Sequence, residues 1–245
     1  MAKIISIHSF RGGTGKSNIT ANTAAMLAAE GKRVGVIDTD ILSPGIHVLF
    51  GLGEERIKYA LNDYLWGRCK IEETAYKVDK GGDIWLIPSS IQIGEITRIL
   101  REGYDSALLN RGFEELIDAL NLDILLIDTH PGVNEETLLS IAFSDTLIII
   151  LRPDQQDYLG TGVTVKVAKK LEVPDLVLVA NKVPASYNSV ELATKIGETY
   201  NTEVAGVLQH SDEMMKLGSA DLFVLEYPQH PMTDEFRRIA RRLLT

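Results

Sequence analysis

A glycine-rich segment that ends in lysine and serine, Phe10–Ser17, is the part of the sequence best suited to chemistry. It reads Phe-Arg-Gly-Gly-Thr-Gly-Lys-Ser and departs from the phosphate-loop pattern G-x-x-x-x-G-K-[ST] only at Phe10, which replaces the first glycine. Glycines have no Cβ, so the backbone N–H groups of such a loop can approach phosphate oxygens. Lys16 would contact the β- and γ-phosphates, and the hydroxyl of Ser17 would coordinate Mg²⁺. The alternative, a tight turn without a ligand, is less favoured because Gly-Lys-Ser stands where a strand should pass into a helix.

Acidic side chains follow two other apolar segments. Asp38 ends one segment and Asp40 follows it, while Asp128 ends another. Because residues i and i+2 of an extended chain lie on the same side, Asp38 and Asp40 are expected at the functional edge of a sheet. Asp128 suits the coordination sphere of Mg²⁺ through water, and the N–H of Gly132 could contact a γ-phosphate. The alternative for the first pair is helix capping or turn chemistry.

The elements that must position these residues alternate regularly along the chain. Short segments rich in Ile, Val and Leu mostly do not alternate with polar residues, which is typical of strands covered on both faces in a parallel sheet. The pattern predicts an α/β fold with a doubly wound, mainly parallel sheet flanked by helices. The predicted strands are Lys3–His8, Arg33–Asp38, Ile84–Pro88, Leu122–Asp128, Thr146–Arg152, Leu176–Asn181 and Val204–Leu208. The predicted helices are Ser17–Glu30, Ile91–Arg101, Ser106–Leu120, Glu135–Phe143, Gly160–Leu171, Ser189–Tyr200 and Thr233–Leu244.

Composition sets further limits on the class of protein. The chain has 245 residues, 45% of them apolar, and we expect one domain over residues 1–245. With 25 Lys and Arg against 34 Asp and Glu, the net charge is −9, so any binding of nucleic acid would need a local basic patch. A single cysteine, Cys69, cannot form an intrachain disulfide or a four-cysteine metal site. We find no signal peptide and no apolar segment long enough to span a bilayer, so a cytoplasmic protein is expected.

The segment Arg11–Ser17 resembles the deviant phosphate loop, x-K-G-G-x-G-K-[ST], of the MinD/ParA family of SIMIBI-class P-loop ATPases. In that family the first glycine of the strict pattern is often absent, which accounts for Phe10. The family's signature lysine, which contacts the phosphates of a partner subunit across a nucleotide-sandwich dimer, is replaced here by Arg11. Arginine keeps the charge and adds a planar set of donors suited to phosphate, so the same catalytic role is expected. The alternative is an ordinary surface arginine.

The resemblance also assigns roles to the other residues. It implies that Asp38 lies near the Mg²⁺ shell, that Asp40 orients the attacking water, and that Asp128 to Gly132 form the Walker B and switch II segment. His130 is at a variable position of this segment, so a histidine base is not expected. The expected nucleotide contacts within the loop and the first helical turn are Gly12, Gly13, Thr14, Gly15, Lys16, Ser17 and Asn18.

The base should be adenine. The sequence Asn181-Lys-Val-Pro184 has proline where N-K-x-D GTPases have the aspartate that pairs with guanine, so Asn181 is expected to contact adenine. A second base-side loop is expected at 209–212, with Asp212 as the contact. The alternative for either segment is a simple β–α turn.

The last predicted helix is amphipathic and basic. Phe236, Ile239 and Leu243 recur at helical spacing, and the other face carries Arg237, Arg238, Arg241 and Arg242. We favour a helix of the domain with its apolar face on the sheet. Contacts of the arginines with nucleoid DNA or with a membrane surface are the alternatives.

The resemblance implies an ATPase that uses ATP and Mg²⁺, forms a homodimer with ATP, turns over slowly without a stimulating or adaptor protein, and positions or partitions a cellular cargo. It would be cytoplasmic, or peripheral on a membrane or the nucleoid. Two alternatives stay open. One is an ATPase that loads a metal cofactor or client, like Mrp or the nickel insertases, although lone Cys69 argues against it. The other is a P-loop enzyme that acts on a small molecule, like dethiobiotin synthetase.

Overall fold

The computed structural model describes residues 2–245, with Glu135 and Glu136 described by their backbone only. Over this range one sheet contains eight strands, in the spatial order β3-β4-β2-β5-β1-β6-β7-β8. Neighbouring strands are parallel except for β3, which is antiparallel to β4. The strands are β1 (Lys3–His8), β2 (Val34–Asp38), β3 (Tyr76–Lys77), β4 (Ile84–Ile87), β5 (Ile124–Asp128), β6 (Thr146–Leu151), β7 (Asp175–Val183) and β8 (Glu203–Gln209).

The predicted helices are present; Ser106–Leu120 and Ser189–Tyr200 have the predicted bounds, and the others are shifted at one or both ends. In the structure, the predicted helices are α1 (Lys16–Ala29), α4 (Ile93–Glu102), α5 (Ser106–Leu120), α6 (Glu135–Ala142), α7 (Gln155–Lys170), α8 (Ser189–Tyr200) and α11 (Pro231–Leu243). The predicted start of α7 at Gly160 was wrong, because Asp154 caps the helix by accepting hydrogen bonds from the amides of Gln156 and Asp157. Four short helices were not predicted: α2 (Ile46–Leu49), α3 (Leu61–Leu65), α9 (Asp212–Leu217) and α10 (Phe223–Glu226).

Both faces of the sheet are covered, as the continuous apolar strands predict. On β5, Ile124 and Leu126 belong to one core, whereas Leu125 and Ile127 belong to another. The first core lies under α1, α2, α10 and α11. The opposite face holds a core with α3 and α5 at one end and a core with α7 and α8 at the other. The doubly wound, mainly parallel α/β sheet is therefore confirmed.

The topology brings the polar ends of several strands together. The central strand β1 lies between β5 and β6. The connection after β1 leads to β2 on one side of the sheet, whereas the connection after β5 leads to β6 on the other. The strand β2 pairs with β5 in a register that sets Asp38 directly beside Asp128. Ligands of doubly wound sheets bind at this kind of position, beyond the carboxyl ends of the strands where the order reverses.

The apolar face of α11 is buried. Phe236, Ile239 and Leu243 are at most 1% exposed and belong to the core beneath α1. Each arginine of the other face pairs with a carboxylate of the chain: Arg237 with Asp234, Arg238 with Glu235, Arg241 with Glu30, and Arg242 with Asp175 and Glu203. The helix is thus part of the fold, as the favoured interpretation has it. Among the described residues, no helix combines the length and hydropathy that a membrane crossing requires.

Candidate functional site

The loop between β1 and α1 has the backbone that its glycines allow. Gly13 has φ of +76° and Gly15 has φ of +94°, a region that side chains with a Cβ seldom adopt. Gly15 is the N-cap of α1, and no side chain caps the helix within the described part of the chain. The first N–H groups of a helix lack intrahelical acceptors and lie at the positive end of its dipole. The amino end of α1 is therefore suited to bind an anion.

Lys16 lies between two carboxylates. Its Nζ is 3.2 Å from Oδ1 of Asp128 and 3.8 Å from Oδ2 of Asp40, and the residue is 7% exposed. The same Oδ1 of Asp128 accepts a hydrogen bond of 3.2 Å from the hydroxyl of Thr20 on α1. The loop, the segment after β2 and the end of β5 therefore meet at one ammonium group, as their spacing predicts.

Asp38 completes this group of carboxylates. It is 1% exposed, and its oxygens accept hydrogen bonds from the amides of Asp40 (3.0 Å) and Gly45 (3.1 Å). Burial, together with the negative charges of Asp128 and Asp40, raises the pKa of Asp38 well above its usual value, against the opposing effects of the Gly45 hydrogen bond and Lys16. Three carboxyl groups thus lie near one buried lysine, which contacts two of them, Asp40 and Asp128.

This crowding of carboxyl groups fits a divalent cation, whose charge would favour their ionised forms. Ser17 adds a half-buried hydroxyl in the first turn of α1. Within residues 2–245, as far as their side chains are described, no three His, Cys, Asp or Glu side chains are arranged to hold a metal ion by themselves. Mg²⁺ commonly keeps several waters and completes its shell with one or two carboxylates and substrate phosphates. The site therefore fits Mg²⁺ bound together with phosphates, which Ser17 and, through water, Asp38 and Asp128 would hold.

His130 contacts Asp40. Its Nδ1 lies 2.6 Å from Oδ1 of Asp40, whose side chain is 13% exposed. This contact joins the loop after β2 to the loop after β5. The sequence analysis did not predict it, because the resemblance treats position 130 as variable.

A second histidine, His8, lies behind the same loop. The hydroxyl of Thr129 donates to the carbonyl of Ile7 (3.0 Å), so it accepts from Nδ1 of His8 (2.8 Å). Burial, followed by the positive charges of Lys16 and His130, lowers the pKa of His8 to about 3. His8 is therefore a neutral donor that fixes Thr129, and its Nε2 is buried without a partner among the described residues.

The side chain of Arg11 forms ion pairs with carboxylates of its own subunit. Its Nη1 is 3.4 Å from Asp157 and 3.7 Å from Asp154, both at the amino end of α7, and its side chain is 39% exposed. Burial alone would raise the pKa of Asp157, but hydrogen bonds from Arg152 and the charge of Arg11 bring it below its usual value. A contact of Arg11 with a partner subunit would require these ion pairs to break.

The amide of Gly132 has an acceptor in this structure, because it donates to the carbonyl of Ser9 (3.0 Å). Gly132 has φ of +92° and lies beside the phosphate loop, near Phe10. Its amide could contact a γ-phosphate only if this bond broke. The contact of Gly132 with phosphate stays a prediction.

A cavity of about 420 Å³ lies beside the amino end of α1. Its wall includes Gly15 and Asn18 of the phosphate-loop region, and Asn181 of β7. Apolar side chains form much of the remainder: Ile19, Met214, Met215, Met232 and Phe236. Gln209, His210 and Ser211 provide polar groups. A largely apolar space with a few polar groups is suited to a planar base.

The two residues expected at the base differ in their placement. Asn181 lines the cavity, but its Nδ2 also donates to the carbonyl of Thr14 (2.7 Å), so it braces the loop. Asp212 is not among the residues lining the cavity: its side chain is 79% exposed and lies on a neighbouring groove. Lys182, which was not predicted, donates from Nζ to the carbonyl of Gly13 (2.8 Å).

Comparison with known proteins finds relatives that match most or all of the chain. Residues 2–174 match the family described as AAA domain. An uncharacterized ATP-binding protein of Methanocaldococcus jannaschii is 30% identical over all of this chain and 88% of its own length. The septum site-determining protein MinD of Bacillus subtilis is 26% identical (100% of this chain, 90% of that protein), and an iron-sulfur cluster carrier protein of Pyrococcus abyssi is 24% identical (98% and 85%).

A solved structure shares the fold. The septum site-determining protein MinD of Pyrococcus horikoshii, solved with Mg-ADP, superposes with a TM-score of 0.85 at 20% identity, covering 99% of this chain and 96% of that one. The AAA domain match extends over more than half of the chain, and the full-length relatives include MinD. With the phosphate loop and the order of its strands, these findings show that the chain belongs to the MinD/ParA family of P-loop ATPases.

Proposed function

We propose that this chain is an ATP-driven switch of the MinD/ParA type, which hydrolyses ATP to ADP and phosphate in order to position or partition a cellular cargo in the cytoplasm. The observation that carries the proposal is the placement of Lys16 at the amino end of α1, between the carboxylates of Asp40 and Asp128. An ammonium group and unpaired helix amides together favour a phosphate chain. The adjacent cavity of about 420 Å³ offers space for the base.

In this proposal each group acts mainly by position and charge. Lys16 and the amides of the loop bind the β- and γ-phosphates and stabilise the charge that develops on them. Ser17, Asp38 and Asp128 hold Mg²⁺, which supplies further neutralisation of the phosphate oxygens. Asp40 orients the attacking water, and Asn181 and the cavity wall retain adenine.

We further propose that ATP brings two copies of the chain together and that Arg11 then contacts the partner's phosphates. Arg11 has a partly exposed side chain at the rim of the loop, as this role requires. Of its present partners, Asp154 is an exposed carboxylate whose ion pair is weak, whereas Asp157 is buried but also pairs with Arg152 and so keeps a cationic partner if Arg11 leaves. The γ-phosphate would thus control the association of the subunits.

The alternative of a metal-cofactor or client-loading ATPase has less support. Burial raises the pKa of Cys69 to about 11, so this thiol is protonated at neutral pH. Metal ions bind thiolates rather than thiols.

The surface on which the switch acts is not assigned to α11, because the carboxylates beside its four arginines offset the positive charge that would attract an anionic surface.

Phosphate release and sedimentation velocity test the proposal in parallel. With ATP and Mg²⁺ the protein is expected to release phosphate slowly and to sediment as a dimer, while with ADP it should sediment as a monomer. A small-molecule enzyme would show no such dependence on the γ-phosphate. The proposal is rejected if no phosphate is released and sedimentation is the same with both nucleotides.

A further inference from the structure

The carboxylate of Asp40 is held from two sides. Oδ1 is 2.6 Å from Nδ1 of His130, and Oδ2 is 3.8 Å from Nζ of Lys16. At 3.8 Å the second contact is an ion pair without a hydrogen bond, so a phosphate chain that draws Lys16 towards itself would weaken it further. The hydrogen bond from His130 is then the contact that still fixes the orientation of Asp40.

The loop that carries His130 is itself well anchored. His8 and the carbonyl of Ile7 hold Thr129, the residue before His130. Pro131, the residue after it, restricts the backbone of His130 to extended conformations. The imidazole is thus presented to Asp40 by a rigid support, which is what precise placement of a functional group needs.

We propose that His130 is a positioning residue for ATP hydrolysis, which donates a hydrogen bond from Nδ1 to Asp40 and so orients the carboxylate that aligns the attacking water. This inference rests on the proposed function, because it assumes that Asp40 acts on the water. Only Oδ1 is engaged by His130, so the other lone pairs of the carboxylate stay available. His130 itself transfers no proton and touches no substrate.

The test compares two substitutions of similar size. His130→Leu keeps bulk but removes the donor, while His130→Asn places an amide N–H close to the position of Nδ1. His130→Leu is expected to lower kcat for ATP hydrolysis about 10- to 100-fold, the usual cost of losing a group that orients a reacting one. KM and the Kd for ATP should change little, and His130→Asn should recover most of kcat. His130→Ala serves as the donor deletion if the leucine variant does not fold.

A second arm uses Asp40→Ala as the background. Adding His130→Leu to that variant should lower kcat no further, because the group that His130 positions is already absent. The role of His130 is overturned if the leucine variant keeps kcat within twofold of the native protein, if asparagine rescues nothing, or if the two substitutions act independently. These results would leave the proposed function intact. A native protein that hydrolyses no ATP would overturn both.

Discussion

Burial is the main cause of the shifted pKa values of His8 and Asp38 in this site. His8 is fully buried at the end of β1, and its pKa is lowered to about 3 by burial and by the nearby charge of Lys16. In the unfolded chain a histidine has a pKa of about 6.5. The unfolded state therefore binds more protons than the folded state between these two values, and His8 makes stability depend on pH in that window.

We expect stability to fall as the pH decreases from about 6.5 towards 3, and to be unaffected by His8 above that range. Between pH 7 and pH 5 the loss due to this one residue is on the order of 2 kcal/mol. His8→Asn keeps a donor for Thr129 but does not titrate, so the variant should lose less stability over the same interval. Urea denaturation of both proteins at pH 7 and pH 5 measures the difference. Equal losses for both would contradict a neutral, buried His8.

The residues whose proximity could be expected from the sequence are those at or just after the ends of strands, while their roles stay predictions. Lys16, Asp38, Asp40 and Asp128 meet because parallel strands place their carboxyl ends at one edge, which hydrophobic pattern alone reveals. The contact between His130 and Asp40 could not be predicted, since it depends on side-chain directions in two loops 90 residues apart. The same holds for the pairing of Arg11 with Asp157.

At the scale of elements, the packing of α7 against the phosphate loop explains how the loop can have Phe10 in place of the first glycine of the pattern. Phe10 occupies the position of the missing glycine, and its ring packs on Gly160. A Cβ on Gly160 would lie 2.0 Å from Cδ1 of Phe10. The loop and α7 are therefore fitted to each other at this point, and a bulky residue in the loop is tolerated because a glycine faces it.

Gly160→Ala is expected to destabilise the protein by about 1–3 kcal/mol, because overpacking outweighs the gain in helix propensity. Gly162→Ala is the matched control on the same helix. Its Cβ would meet Tyr200 at 3.6 Å, an ordinary contact, so it should be neutral or stabilise by up to about 1 kcal/mol. Thermal or urea denaturation compares the two. If Gly160→Ala were as stable as Gly162→Ala, the packing of Phe10 on α7 would be contradicted.

Long helices were predicted from the sequence, and short helices were not. The bounds of α5 and α8 agree with the prediction because their apolar periodicity continues over the whole helix. Helices of four to six residues, such as α2 and α9, contain too few residues to show a period. This matters for the site, because Met214 on α9 lines the cavity beside the loop.

At the scale of the whole molecule, the proposed dimer depends on Arg11. Arg11→Ala is expected to leave binding of Mg·ATP to one subunit nearly unchanged but to abolish or strongly weaken the ATP-dependent dimer. Arg11→Lys should retain much of the association, because it keeps the charge. Arg111→Ala, which removes an exposed arginine of α5 with only a loose ion pair, is the control. Sedimentation velocity with ATP distinguishes them, and an alanine variant that dimerises like the native protein would exclude Arg11 from the interface.

The central claim is that the loop ending at Lys16 and Ser17 binds the phosphates of ATP, and calorimetric titration of Mg·ATP tests it most directly. The native protein and Lys170→Ala, which removes an exposed lysine at the end of α7, should bind ATP alike. Lys16→Ala should lose most or all of the binding while keeping the native unfolding transition. A folded Lys16→Ala protein that binds ATP as tightly as the native one would contradict the account.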